Sequence, residues 1–444
     1  MEETIAQQIA EYASSVMSNR ISDADAERIK MSVVDSIIVS YAAIGAKPIK
    51  LIKEALLPSR GRYNSRVYFT GERASVDTAA FINGGMTRYH DYNDTYLSKE
   101  ALHPSDNIPP VLCLADSMNK DGISAIKAIK VAYQVVCALA DAASIRDRGW
   151  DHVTYVSASA AAGAAALMGL GKEKFVSAIN LAVDSNISLR QTRVGELSMW
   201  KGLSAANAAR NGVFAAMLAR GGVTGPSPIF EGEMGFIRQV SGKLSLSLRP
   251  DRVGRTMIKN FPVEYHAMSA AEAALMLKSC IRGRIRKVEA ETFSVAYNII
   301  GRGAEKINPR TKETADHSLQ YIIAYTLLHG APNTGMYSSR YINDAEMRRV
   351  MRCTSLKVSK RFDSMYPEKT PARISVAAEN GAFSEQVDVP KGHFLNPYTW
   401  NDIERKGKAI IKYKEMLEKI MDAGSGMDKK PVRLLFDVMD DVTS

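Results

Sequence analysis

From Ser157 to Leu170 the chain is almost entirely alanine, serine and glycine. Small side chains let helices approach closely, so this stretch predicts a helix at the centre of a helical bundle. It is too short and too weakly apolar to read as a membrane span. The surrounding sequence carries the same period. Ser22-Asp23-Ala24-Asp25 resembles a capping box with Asp in place of Glu or Gln. After it, Ala26, Ile29, Val33, Ile37 and Tyr41 recur at helical spacing, with Val34 and Ile38 widening the stripe. Gly45 and Pro48 are expected to end that helix. Further helices are expected over Ser75–Tyr89, from Pro109-Pro110 onward, over Ile126–Ala143 and over Leu203–Gly212.

Strand-like patterns are scarce before residue 265 and appear after it. Lys287–Ile300 is rich in Val, Thr, Phe and Tyr, and Leu356–Phe362 alternates. Ala372–Ala378 and Phe383–Val389 flank Asn380-Gly381, a strong hairpin signal. Ala315–His329 and Asp344–Cys353 read as helices. Asp402–Met421 reads as one charged amphipathic helix, Gly424-Ser425-Gly426 as a flexible break, and Pro431–Val438 as a last short helix. The expected fold is mainly α. It comprises a large all-helical domain (1–265), a smaller α+β lid domain (266–403) and C-terminal helices (404–444) that return to the first domain.

The chain has 444 residues, enough for two or three domains and a sizeable core. No apolar run of 18 residues is visible, so no membrane span is expected. Met1-Glu2-Glu3 lacks the basic-then-apolar order of a signal peptide. The four cysteines, Cys113, Cys137, Cys280 and Cys353, are far apart and mostly in apolar contexts. They read as reduced core residues of a cytoplasmic protein, not as a zinc or iron–sulfur set. The net charge of +10 admits three readings: a solvated basic surface, a nucleic-acid partner, or a small polyanionic substrate drawn to a basic cleft. Nucleic acid is disfavoured, because the cations are scattered and no aromatic-interleaved basic run occurs.

The candidate chemistry concentrates in one polar stretch. His90-Asp91-Tyr92-Asn93-Asp94-Thr95 is followed, after a seven-residue spacer, by His103-Pro104-Ser105-Asp106-Asn107, all between two apolar segments. Its second half lies just before a helix N-terminus, a favourable place for a carboxylate. Other histidines with suggestive neighbours are His152 beside Asp151, His266 in Lys259-Asn260-Phe261-Pro262-Val263-Glu264-Tyr265-His266, and His317 beside Asp316. No His-Glu-x-x-His or close His/Cys pair supports a metal. Gly-x-Ser-x-Gly does not occur, and Gly301-x-Gly303 lacks the context of a phosphate loop. Arg190 to Gly202 contains Arg193 and Lys201, which could be solvated or could hold an anion. Trp200 reads as a packing anchor.

Together these stretches resemble the MmgE/PrpD family. The resemblance covers nearly the whole chain. It rests on Asp91-Tyr92-Asn93-Asp94-Thr95 with His103-Pro104-Ser105-Asp106-Asn107, Gly149-Trp150-Asp151-His152-Val153-Thr154, Thr192-Arg193 through Trp200-Lys201-Gly202, Lys259 with Phe261-Pro262 and His266, and Glu313-Thr314-Ala315-Asp316-His317-Ser318-Leu319. It implies a helical domain plus an α+β lid, a homodimer, and dehydration of 2-methylcitrate to 2-methyl-cis-aconitate in propionate catabolism, with no cofactor or metal. The family also holds cis-aconitate decarboxylases and an epimerase, so another lyase or isomerase remains a rival, as does a carboxylate-binding protein without activity. Asn93 and Ser105-Asp106-Asn107 resemble the dehydratase pattern. Tyr92, Gln320 and Gly407 depart from commoner family forms. Eliminating water from a hydroxy-tricarboxylate needs a base, an acid and cations. The expected acid/base group is His103, with Asp91 and Thr95 orienting it or touching substrate. Arg193, Lys201, Lys259 and His266 are expected to hold carboxylates, with His152 as a further candidate.

Overall fold

The computed structural model describes residues 3–441. Helix α1 (Ile5–Ser18) starts at a complete capping box of Thr4 and Gln7. Helix α2 (Asp23–Tyr41) has half of one: Ser22 Oγ accepts from the Asp25 N–H, but the Asp25 carboxylate accepts a hydrogen bond from the Ser22 hydroxyl at 2.6 Å and not from the Ser22 N–H. Pro48 does not end α2. It lies in the first turn of α3 (Lys47–Leu56), where a missing N–H costs nothing because that donor has no helical partner.

Helices α4 (Val76–Tyr89), α5 (Ile108–Ser117), α6 (Gly122–Ala142), α7 (Thr154–Met168), α8 (Lys172–Asp184) and α9 (Ser204–Gly221) complete the first layer. The small-residue helix α7 lies at its centre: every residue from Thr154 to Leu167 is buried, and α6, α8 and α9 pack around it. The approach is close because nothing large intervenes. A Cβ on Gly212 of α9 would stand 2.5 Å from the Ser157 carbonyl oxygen and 2.8 Å from Ala160 Cβ. One expectation is corrected here. Helix α6 is long and apolar enough, by length and composition, to cross a membrane; 78% of its apolar window is buried within this fold. Two short ribbons, Asn64–Arg66 with Arg73–Ser75 and Tyr96–Leu97 with Ala101–Leu102, are the strands described before residue 265.

A second buried core gathers Leu97 with residues from Met257 to Val387. Helix α10 (Met268–Lys278) packs on a four-stranded sheet, and the helix Leu319–His329 packs against α10. Strand Ile285–Thr292 pairs in parallel with Thr354–Val358 and antiparallel with Ala372–Ala378, which forms the expected hairpin with Gly381–Val387. Val288, Ala290, Ile374 and Val376 alternate onto the buried face, as period-2 patterning requires. The strand pattern over 287–300 holds only as far as Thr292. Ser294–Gly301 is helical, and Lys360–Asp363 likewise turns helical after its strand.

The chain then rejoins the first core: Tyr398, Ile403, Leu417 and Phe436 are buried with residues of α1 to α9. The expected single helix over 402–421 is two helices, Trp400–Ile410 and Lys414–Ser425, separated at Ile411. Gly424-Ser425-Gly426 is no flexible break. Gly424 is buried in the second of these helices, against Val34. Cys113 and Cys137 are core residues, but Cys280 is exposed and Cys353 half-buried; all four are free thiols.

Candidate active site

A cleft of about 260 Å³ opens between the two cores. From the first core its wall takes Arg88, Asp91, Thr95, His103, His152, Arg190 and Arg193. From the second it takes Glu264, Tyr265, Arg302, Lys306 and His317.

The polar stretch is shaped by its own side chains. Helix α4 stops at Tyr89, and Asp91 adopts a left-handed φ of 52°, a region where Asp is better tolerated than most residues. Asn93 donates to Ser105 Oγ at 3.0 Å. The Asp94 carboxylate accepts the Ser105 N–H and the Tyr133 hydroxyl, each at 2.8 Å. Thr95 exchanges main-chain hydrogen bonds with Met257, both 2.8 Å, which ties the stretch to the start of the second core. Lys406, from the returning C-terminal helix, donates to the carbonyls of Tyr92 and Lys259 at 3.0 Å. It also lies 2.7 Å from Asp35 and 3.7 Å over the Tyr92 ring.

Asp91 is the electrostatic hub. Arg88 lies 2.9 Å from Oδ1 and Lys201 lies 3.0 Å from Oδ2; Lys259 binds Oδ1 and the Asp91 carbonyl. Burial alone would raise this carboxyl, but those three cations hold it well below the usual carboxylate range. Asp316 is the second anion, 2.9 Å from Lys201 and 3.0 Å from Lys312, and it is held low in the same way. Asp91, Asp316 and His317 place ligand atoms within 4.8 Å of one another. This set does not fit a metal ion, because Lys201 Nζ already sits between the two carboxylates.

His103 is set by the main chain. Its Nδ1 lies 2.7 Å from the Asp94 carbonyl oxygen, which can only accept, so the N–H is assigned to Nδ1 and the lone pair to Nε2. Thr95 Oγ1 is a secondary neighbour of Nδ1 at 3.3 Å. Asp91 does not orient the ring: its Oδ1 is 3.9 Å from Nε2. Burial, then the charges of Arg88 and Lys259, push the imidazole well below its ordinary pKa. A neutral ring with a free Nε2 therefore faces the cleft.

The other expected residues divide into two groups. His152 and Arg193 reach the cleft, but each is occupied. His152 Nδ1 lies 2.9 Å from Asp151, and its Nε2 is sealed without a partner. Arg193 braces Asp151, the Lys201 carbonyl and Ser204 at 2.9, 2.9 and 3.1 Å. Lys201, Lys259 and His266 are not in the cleft wall. The two lysines are held by Asp91 and Asp316, and His266 is bonded to Glu264 at 2.7 Å with its ring tilted 40° against Tyr366. The cations that line the cleft beside Arg193 are Arg88, Arg146, Arg190, Arg302 and Lys306. Arg88 had a readable signal, one helical turn before Asp91. Arg302, between Gly301 and Gly303, and Lys306, three residues further on, had no comparable signal. Trp200 is not a buried anchor; it is 44% exposed, with its ring 6.5 Å from Phe81.

A cation-rich cleft holding neutral imidazoles can bind a polycarboxylate and move protons on it. The comparisons agree with that chemistry. Residues 7–249 match the MmgE/PrpD N-terminal domain and residues 261–421 the MmgE/PrpD C-terminal domain. The chain is similar to the 2-methylcitrate dehydratase of Escherichia coli strain K12, 29% identical over 349 residues that cover 71% of each protein. It is similar to that of Escherichia coli O157:H7, 30% identical over 352 residues with the same coverage. It is also similar to an alkylcitrate dehydratase from a fungal species, 24% identical over 446 residues, 92% of this chain and 88% of that one.

Proposed function

Because the chain belongs to the MmgE/PrpD family and is a dehydratase-like enzyme of it, we propose that its substrate is 2-methylcitrate and its product 2-methyl-cis-aconitate. The observation that carries this reading is His103. Its Nε2 lone pair is free, its ring is fixed by Asp94, and cations surround it in the same cleft. Nε2 takes the proton on the carbon next to a carboxylate. Arg88, Arg190 and Lys306 hold the carboxylates and offset the charge that grows as the proton leaves. The Arg88–Lys201–Lys259 cluster around Asp91 keeps the floor of the cleft positive and rigid.

The test is a substrate panel of 2-methylcitrate, citrate and cis-aconitate offered to purified, chelator-treated protein. Rising ultraviolet absorbance from the new conjugated double bond with 2-methylcitrate supports the reading. Carbon dioxide release from cis-aconitate, with no dehydration, overturns it in favour of a decarboxylase. Replacing His103 with Gln is expected to cut turnover by about 10²–10⁴-fold, the range for a lost acid–base group, without loss of fold by circular dichroism.

For assembly we propose a homodimer, supported by the family resemblance and by the exposed apolar side chains of Leu189, Met199 and Trp200 on one short segment. Light scattering coupled to size exclusion reads twice the chain mass if this holds, and the single mass if it does not.

A further inference from the structure

His103 accounts for one proton of an elimination, and a second must reach the leaving hydroxyl. His317 lies across Asp91 from His103. Its Nδ1 is 4.0 Å from Asp91 Oδ2, while His103 Nε2 is 3.9 Å from Oδ1. The two rings thus flank opposite oxygens of one carboxylate, from different cores. The His317 ring is held by Asp316, 2.7 Å from Nδ1, and Asp316 is itself clamped by Lys201 and Lys312. The N–H is therefore on Nδ1, which leaves Nε2 as the ring's exchangeable position, and His317 lines the cleft.

We propose that His317 is the second catalytic residue, an Asp316-anchored imidazolium that protonates the departing hydroxyl while His103 accepts the carbon-bound proton. The proposal rests on the dehydratase reading above. His103 Nε2 takes the proton, and the C–H electron pair is left on a carbanion delocalised into the adjacent carboxylate. The C–O bond then breaks, that pair becomes the C=C bond, and the oxygen leaves as water with the proton from His317 Nε2. His103 ends one proton richer and His317 one poorer; exchange with solvent resets both after product leaves.

The division of roles follows from the partners. A carboxylate behind Nδ1 stabilises imidazolium, whereas a main-chain carbonyl does so only weakly. His103 has the carbonyl, with Arg88 and Lys259 facing it. His317 has Asp316, with Asp91 and Glu264 close by and Lys201 opposing them. In the free protein burial, then Lys201, push His317 down to about 4. A bound polycarboxylate adds negative charge beside it and raises it.

The experiment compares His317→Gln and His103→Gln in D2O, reading product by absorbance and carbon-bound deuterium in recovered substrate by NMR. His317→Gln is expected to lose at least about 100-fold in kcat, with KM within about threefold, while deuterium still enters the substrate. His103→Gln loses both readouts. Turnover of His317→Gln within tenfold of wild type, or joint loss of exchange and turnover, overturns the proposal. If Gln impairs folding by thermal melt, His317→Asn is read by the same criteria. Wild-type failure on 2-methylcitrate overturns only the substrate assignment, and His317 is then tested on whichever hydroxy acid of the panel is dehydrated.

Discussion

At the residue scale the site depends on charges that cannot be removed singly. Asp91 is buried with Arg88, Lys201 and Lys259 around it. Asp91→Asn leaves those cations uncompensated, and breaking one partner of a buried ionic set costs about 3–5 kcal/mol. Urea denaturation of that variant is expected to show a loss of this size, beyond any loss of turnover. Asp106 gives a pH prediction of the opposite sign to a salt-bridged acid. Burial raises its carboxyl to about 7, with Arg88 opposing and Asp94 adding to the rise. The folded protein therefore holds this proton more tightly than the unfolded chain, where the value is about 3.9. Its contribution to stability is full below about pH 3.9 and is lost as pH rises through 7. Asp106→Asn removes that slope. Relative to wild type, the variant gains stability between pH 4.5 and 7.5, and denaturation at the two pH values checks it.

At the element scale the tightest constraint is the contact between α7 and α9. Gly212→Ala would place a methyl 2.5 Å from the Ser157 carbonyl oxygen, and backbone on both sides leaves no flexible side chain to give way. Overpacking of this kind costs about 1–3 kcal/mol, so a fall in melting temperature with unchanged KM is expected. The C-terminal pair of helices illustrates the other direction. Charged periodicity ran through 402–421, yet the chain bends at Ile411, which is buried in the first core. The bend lets Lys406 reach Tyr92 and Lys259 from one helix while Leu417 and Ile420 pack from the next. Periodicity records which face is apolar, not whether two faces belong to one axis.

At the scale of the whole molecule, the cleft exists only because two cores meet. His103 and His317 stand on different ones, as do Arg88 and Arg302. Six cations and four carboxylates line the cleft, so its field attracts a polyanion. Rising salt is expected to lower kcat/KM for a tricarboxylate, through slower association, more than kcat. Steady-state kinetics at increasing ionic strength checks this.

Much was legible in the sequence by itself, because it is written in local patterns. Apolar period placed the helices of the first core, small residues placed α7 at the centre, and Asn380-Gly381 placed the hairpin. The crowding of polar groups from His90 to Asn107 marks one wall of the cleft. Only the tertiary structure decided what each charge does. Lys201, Lys259 and His266 carry the same side chains whether they meet substrate or protein; that they are buried against Asp91, Asp316 and Glu264 is read only from the structure. Arg302, Lys306 and His317 gained their place in the cleft from a chain crossing more than 200 residues after Asp91. Sequence fixes which groups can ionise. Which of them face each other, and which are left to face a ligand, is a property of distances between segments that no local pattern encodes.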